Sequence, residues 1–433
     1  MCFFTSKYHT KGENYTIPQI DLSKMPKDIA PELSYLFEET TVDAGKGYLG
    51  HPDSVLLKDG SILTFFPEGH GKGTTLSRIS RDSGKSYPDT IENPPKSWEK
   101  SLETPTIYRL EFTEHLWEDK LLLVCGNPKW PNLKTPGGFC ASLSSDEGKT
   151  FSEYELFYGN DDPVFACLPI VPMSSLTKLK ENGKFVDKWM GLFHDRHFIN
   201  YKTILTFSED GKMHWSKPEP YFSAYRAIEK ASNMCEVECV RSDGGKGDEL
   251  MLITRSNSKK INSLLSFSKD EGKTWSKPQE APAALNGERH KAEWLPDGRL
   301  FITFRSIERE KNKVKQYSEV KGRCWYSEGW IAWVGTFDDL KQGREGLCRI
   351  KIAHTYLNSQ DTPQICANAD TGYCGNVVLE DGTVVTSSYG IFSPEKKEDG
   401  SYKTDKGKQI RKTYIVSKRI KLDDVLKLLP ERK

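Results

Sequence analysis

Five residues stand at the ends of otherwise apolar stretches: Tyr373 in "TGYCGNVV", Glu236 in "NMCEVECV", Arg255 closing "LMLITR", Arg289 in "GERHKAEW" and Arg305 closing "LFITFR". His51 in "YLGHPDSV" and His194 closing "KWMGLFH" sit in the same kind of place. A strand end that serves structure alone has no need of a guanidinium or a phenol. Guanidinium groups bind carboxylates in bidentate fashion. Three arginines gathered with a tyrosine, a glutamate and histidines therefore suit an anionic ligand that carries a carboxylate. Whether they gather depends on the elements that hold them.

Those elements repeat. "SRDSGKSY" (80–87), "SSDEGKTF" (144–151) and "SKDEGKTW" (268–275) share Ser, Asp, Gly and a terminal aromatic, and "SEDGKMHW" (208–215) is a degenerate copy. Their aspartates are 82, 146, 210 and 270, so the steps are 64, 64 and 60. A second pattern recurs six times: 56–66, 115–126, 180–193, 240–255, 294–305 and 378–390. Each is an apolar strand, a tight polar turn usually built on Asp-Gly or Asn-Gly, and a second apolar strand, which is a hairpin signal. Six repeats of about four short strands predict an all-β fold, a six-bladed β-propeller. The propeller is expected over 46–418. Residues 1–45 form an N-terminal arm that can supply a closing strand for the last blade. Residues 419–433 have apolar residues at helical spacing and read as a short C-terminal helix. The polar stretch 307–324 reads as an excursion loop.

The repeats also place residues on faces. The Asp motif joins the third and fourth strands of a blade and the Asp-Gly turn joins the first and second, so both lie at one end of the disc. The motif reads as scaffold: Asp and Ser cap turn amides, Gly supplies the special dihedral and the aromatic packs between strands. The opposite face holds the starts of first strands and the ends of second strands. Counting nine residues back from the turn glycine reaches His51, Arg289 and Tyr373, and in the fourth blade Cys235, with Glu236 beside it. Second-strand ends fall at Pro67, Gly126, His194, Arg255, Arg305 and Tyr389.

The bulk properties narrow the classes of partner. The 433 residues carry a formal net charge of +1, with no basic or acidic block, which argues against nucleic acid or a membrane surface as the main partner. No apolar run is long enough for a transmembrane helix. Ten cysteines are scattered without a Cys-x-x-Cys pair and read mostly as buried thiols; no metal or cofactor is expected. The start, "MCFFTSKYHTKGENY", shows no secretory leader. With Met1 as the true start the chain reads as cytoplasmic; a trimmed leader would make it secreted or periplasmic.

The repeated Ser-x-Asp-x-Gly-x-Thr-Trp resembles the Asp-box (BNR repeat) of the sialidase superfamily, over roughly 46–416. "GYCGNVVLEDGTVV" resembles that family's nucleophile strand, with Tyr373 in the tyrosine's place. "NMCEVECVRSDG" with "LMLITR" resembles the pair carrying its glutamate and an arginine, which places Glu236 and Arg255. The resemblance implies an exo-α-sialidase-like glycosidase with a retaining mechanism. Tyr373 would attack, Glu236 would take its proton, and Arg255, Arg289 and Arg305 would hold the substrate carboxylate. A phenol suits this chemistry because a carboxylate nucleophile would be repelled by a carboxylate on the anomeric carbon. A separate acid is needed, with Glu68 and Asp53 as candidates. The family's first-blade Phe-Arg-Ile-Pro is absent, and His51 stands where its arginine is expected. A hydrolase or lyase acting on another acidic or neutral sugar, with His51, His70 or His290 in acid–base work, therefore stays open, as does a non-catalytic glycan-binding propeller.

Overall fold

The computed structural model describes residues 12–45, 47–69, 73–100, 104–127, 137–159, 169–317, 323–355, 370–392, 404–405, 408–409 and 413–429. Strands dominate, in six antiparallel blades that follow one another around a ring. The innermost strands are Asp53–Leu56, Thr106–Leu110, Ile170–Glu181, Met234–Arg241, Gly287–Trp294 and Cys374–Val378, and each contacts the next, the last returning to the first. We number the blades 1 to 6 in that order.

The second strands read as unbroken apolar runs because each blade is covered on both faces by its neighbours. Leu250–Ser256 of blade 4 and Leu300–Ser306 of blade 5 are buried at every position but the arginine. The core is accordingly a series of interblade seams. One joins Leu63 and Phe65 of blade 1 to Leu121 and Leu123 of blade 2; another joins Met251 and Ile253 of blade 4 to Ile302 and Phe304 of blade 5.

The Asp motifs close the third strands as expected. In the first, the Ser80 hydroxyl donates to Asp82 at 2.8 Å, and Asp82 accepts from the Lys85 and Ser86 amides at 3.0 and 2.9 Å. Ser83 and Gly84 are both left-handed, with φ of 60° and 81°. The same pattern recurs around Asp146 and Asp270. Blade 5 uses another device, a helix Phe337–Lys341 with a Thr336/Asp339 capping box.

The N-terminal arm meets two blades. Gln19–Asp21 adds a parallel fifth strand to blade 5, and Thr40–Asp43 pairs antiparallel with Tyr414–Ile420 at the outer edge of blade 6. The C-terminal helix covers Leu422–Leu426; it starts later than the periodicity suggests because Arg419 and Ile420 belong to Tyr414–Ile420, held as a strand between Val384–Gly390 and Thr40–Asp43. The excursion after blade 5's second strand contains a helix, Lys311–Tyr317, rather than loop alone. Among the described residues, no helix is long and apolar enough to cross a membrane, and the described cysteines are free thiols.

Candidate active site

A bulge at the mouth of the ring decides which side chains face its centre. In blade 4, Cys235 lies opposite Arg255 and Glu238 opposite Ile253, so three steps on the inner strand span two on its neighbour. Blade 5 does the same, with Glu288 opposite Arg305 and Lys291 opposite Thr303. In blade 1 the Gly50 amide meets the Pro67 carbonyl and Asp53 lies opposite Phe65, the same offset. Each extra residue is left-handed: His51, Glu236 and Arg289 have φ of 50°, 48° and 51°. Such a backbone costs a non-glycine residue on the order of 1–3 kcal/mol and re-aims its side chain. Three polar residues carry this strain at equivalent positions. The inner strand pair of blade 6 has no bulge, and Tyr373 enters the centre directly from just before its inner strand.

These residues border a cavity of about 340 Å³ at the ring's mouth, lined by His51, His194, Glu236, Arg255, Arg305 and Tyr373 together with less polar neighbours. The Tyr373 hydroxyl donates to Glu236, at 3.0 and 2.9 Å from its two oxygens. The Arg255 Nη1 donates to Glu236 at 2.7 Å and to the Tyr373 oxygen at 2.7 Å. The phenol thus gives a proton to one partner and accepts from the other. Arg305 packs its guanidinium over the Tyr373 ring at 4.7 Å, and His51 lies 5.1 Å from the same ring.

Burial and charge act together on this trio. Burial would raise the Glu236 carboxyl, but Arg255 overrides it and holds the pKa at about 2. Burial lifts the Tyr373 phenol well above its ordinary value, with Arg255 opposing the lift and Glu236 adding to it. At rest the proton belongs to tyrosine. His194 is buried at the end of blade 3's second strand; its Nδ1 donates to the Asp195 carbonyl at 2.9 Å, which leaves Nε2 as an acceptor. Burial pushes its pKa down, so it is neutral near pH 7.

Not every expected residue joins the group. Arg255 and Arg305 reach the cavity, but Arg289 turns its Nη1 to the Ser174 carbonyl of blade 3 at 2.9 Å and is not in the lining. His290 points the other way along the strand: its Nε2 donates to the Leu285 carbonyl at 2.9 Å and its ring stacks on Phe304. Asp53 is buried farther down the axial channel, where it pairs with Lys291 at 3.2 Å and accepts the Ile107 amide. Glu68 is exposed beyond blade 1's second strand, bridged across from Leu49. His70 lies outside the described residues. Glu238 also faces the channel rather than the cavity, accepting the Ala292 amide at 3.1 Å. Glu236 is thus the one carboxylate lining the cavity among the described residues.

Counting back from the turn glycine misses Glu288. Its carboxylate is 2% exposed and joins both arginines: one oxygen meets Arg255 Nη2 and Lys259 Nζ, each at 3.0 Å, and the other meets Arg305 Nη1 at 3.0 Å. Its signal was the Glu-Arg pair at 288–289, but only the bulge shows that the glutamate, not the arginine, lies opposite Arg305. Arg305 also donates to the Thr371 carbonyl and to Tyr389, with Asp370 at 3.5 Å.

A profile of the family described as BNR repeat-like domain matches residues 86–332. No curated protein matches the chain in sequence. Among solved structures, the chain is similar to a protein of unknown function from Dyadobacter fermentans, at 16% identity over 88% of this chain and 97% of that one, with a TM-score of 0.55. It is also similar to an α-L-arabinofuranosidase of Fusarium graminearum in complex with an iminosugar inhibitor (13% identity, 90% and 99% covered, TM-score 0.56). A third is the α-L-arabinanase of Penicillium chrysogenum with arabinobiose (12%, 89% and 98%, TM-score 0.52). At these identities the likeness is one of fold.

Proposed function

The chain belongs to the BNR repeat-like family, and from that premise we propose that it is a retaining exo-glycosidase that removes a terminal sialic acid from glycans, with Tyr373 as nucleophile and Glu236 as its base. The observation that carries this reading is the Tyr373–Glu236–Arg255 contact set at 2.7–3.0 Å. A phenol backed by a carboxylate suits an anomeric carbon that itself bears a carboxylate, since a neutral attacking group meets no charge repulsion there.

Tyr373 Oη forms the bond to the anomeric carbon as its proton passes to Glu236, and the glycosidic C–O bond breaks. The leaving oxygen departs with a proton from a separate acid or from solvent. Water then attacks the anomeric carbon and gives its proton to the group that served as acid in the first step, or to solvent, as the glycosyl–tyrosine bond breaks and Glu236 returns its proton to the phenol oxygen. Because the resting proton is held firmly by Tyr373, its transfer is coupled to charge developing on the sugar rather than preceding it. Arg255, already bonded to the phenol oxygen, steadies the negative charge that grows there as the bond to sugar breaks in the second step. His194 and His51 line the cavity and would hydrogen-bond the sugar or the leaving group.

A neutral sugar is a second reading. It is favoured by Glu288, which already answers both cavity arginines, and by the names of two structurally similar proteins, which are said to act on α-L-arabinan or α-L-arabinofuranosides. In that reading Glu236 attacks and Tyr373 donates to it. An aryl α-sialoside and an aryl α-L-arabinofuranoside, each assayed with wild type and Tyr373→Phe, separate the two. Release from the sialoside that the substitution abolishes supports the first reading. Turnover confined to the arabinofuranoside overturns it.

A further inference from the structure

The two cavity arginines are already engaged. Arg255 Nη1 serves Glu236 and Tyr373, and its Nη2 serves Asn257 at 2.7 Å and Glu288 at 3.0 Å; only Nε has no partner among the described residues. Arg305 spends Nε on Thr371, Nη1 on Glu288 and Nη2 on Tyr389 and Asp370. The directly ion-paired charges around this point balance, and Arg289 adds a further positive charge near Glu236. Arg255, Arg305 and Lys259 supply three positive charges; Glu236, Glu288 and Asp370 supply three negative ones. A guanidinium already paired with a carboxylate exerts less pull on an incoming anion than a free one.

Glu288 differs from the other two carboxylates in geometry. Glu236 is tied to the phenol, and the Asp370 side chain is 47% exposed at the edge. Glu288 alone lies between both guanidinium groups: one oxygen accepts a hydrogen bond from Arg305 Nη1 at 3.0 Å, and the other stands 3.0 Å from Arg255 Nη2 as a charge contact without hydrogen-bond geometry. Burial would raise its carboxyl, yet Arg255, Arg305 and Lys259 together hold the pKa below the ordinary glutamate value, so it is charged at neutral pH.

We propose that Glu288 is a resident carboxylate in the arginine receptor: it holds the seat between Arg255 and Arg305 and thereby sets how strongly the cavity prefers an acidic sugar over its neutral counterpart. Glu288 acts here as a specificity-determining residue through the arginines, not as a catalytic one. The inference rests on the proposed sugar-binding role of this cavity. It does not need turnover.

The test is a matched pair of ligands, N-acetylneuraminic acid and its carboxyl methyl ester, titrated by calorimetry against wild type, Glu288→Gln and Glu288→Ala. The wild type is expected to discriminate weakly. Either substitution should increase the acid-over-ester affinity ratio about tenfold or more. An unchanged ratio overturns the proposal. Removing a buried partner of three cations lowers stability, so a second measurement accompanies it. Acetate should raise the melting temperature of Glu288→Ala in a concentration-dependent way and leave the wild type nearly unmoved, against chloride at the same ionic strength. Equal shifts in both proteins overturn the proposal. If neither sugar binds, the acetate experiment decides alone. Loss of sialoside hydrolysis in the assays above, with the affinity ratio still shifting, would remove the proposed activity and leave this inference standing.

Discussion

Tyr373 and Glu236 are 137 residues apart, on blades 6 and 4, and the phenol oxygen lies 2.9 and 3.0 Å from the two oxygens of the carboxylate. Two different bulge states bring them there: Glu236 is turned inward by a left-handed residue, and Tyr373 enters without one. The pair is the centre on which the proposed mechanism depends.

Loss of the phenol should therefore remove the chemistry without removing the fold. Tyr373→Phe is expected to lower kcat by roughly 10²–10⁴-fold on whichever aryl glycoside proves to be the substrate, with little change in melting temperature. Mass spectrometry of a trapped glycosyl-enzyme should find the added sugar on the peptide containing Tyr373. A sugar found on the Glu236 peptide would reverse the two roles.

Arg255 holds two buried carboxylates, Glu236 and Glu288, at 2.7 and 3.0 Å. Arg255→Met leaves both without that partner. The expected loss is about 3–5 kcal/mol of folding stability, by analogy with other broken buried pairs. Urea denaturation measures it; a loss below about 1 kcal/mol would mean that Arg305 and Lys259 suffice.

Two glutamates two residues apart should give opposite pH signatures. Glu236 is held at about 2, below the ordinary 4.5, so its contribution is present above pH 4.5 and lost as pH falls toward 2. Glu238 is pushed up to about 7 by burial, against the pull of Lys291, so its contribution is present below pH 4.5 and lost as pH rises through 7. Glu236→Gln should flatten the acid limb of the stability curve, and Glu238→Gln the limb between pH 4.5 and 7. Denaturant midpoints across pH 2–9 provide the check.

The Asp motifs should matter for stability and not for activity. Asp270 accepts the Thr274 amide at 2.9 Å and its hydroxyl at 2.6 Å, on the end of the disc away from the cavity. Asp270→Ala is expected to cost about 1–2 kcal/mol, as a lost turn cap does, with kcat/KM unchanged. A fall in kcat/KM in protein that remains folded would mean that the two faces are coupled.

Much of this molecule is legible in the chain itself. The spacing of Asp82, Asp146, Asp210 and Asp270 marks the blades because each motif closes its own turn with local hydrogen bonds, and local bonds leave local sequence patterns. The six hairpins set the blade number for the same reason. Tyr373, Glu236, Arg255 and Arg305 could be found because they break an apolar run at a repeated position. What lies opposite what could not be read, since a bulge shifts register by one residue and leaves no compositional mark. That single step separates Glu288 from Arg289. It sends one arginine to the Ser174 carbonyl and puts a carboxylate between the other two. Sequence alone decided the architecture and named most of the polar residues that line the cavity. Tertiary structure alone decided the sign of the charge facing each arginine, because side-chain direction in a bulged strand follows from pairing across the sheet.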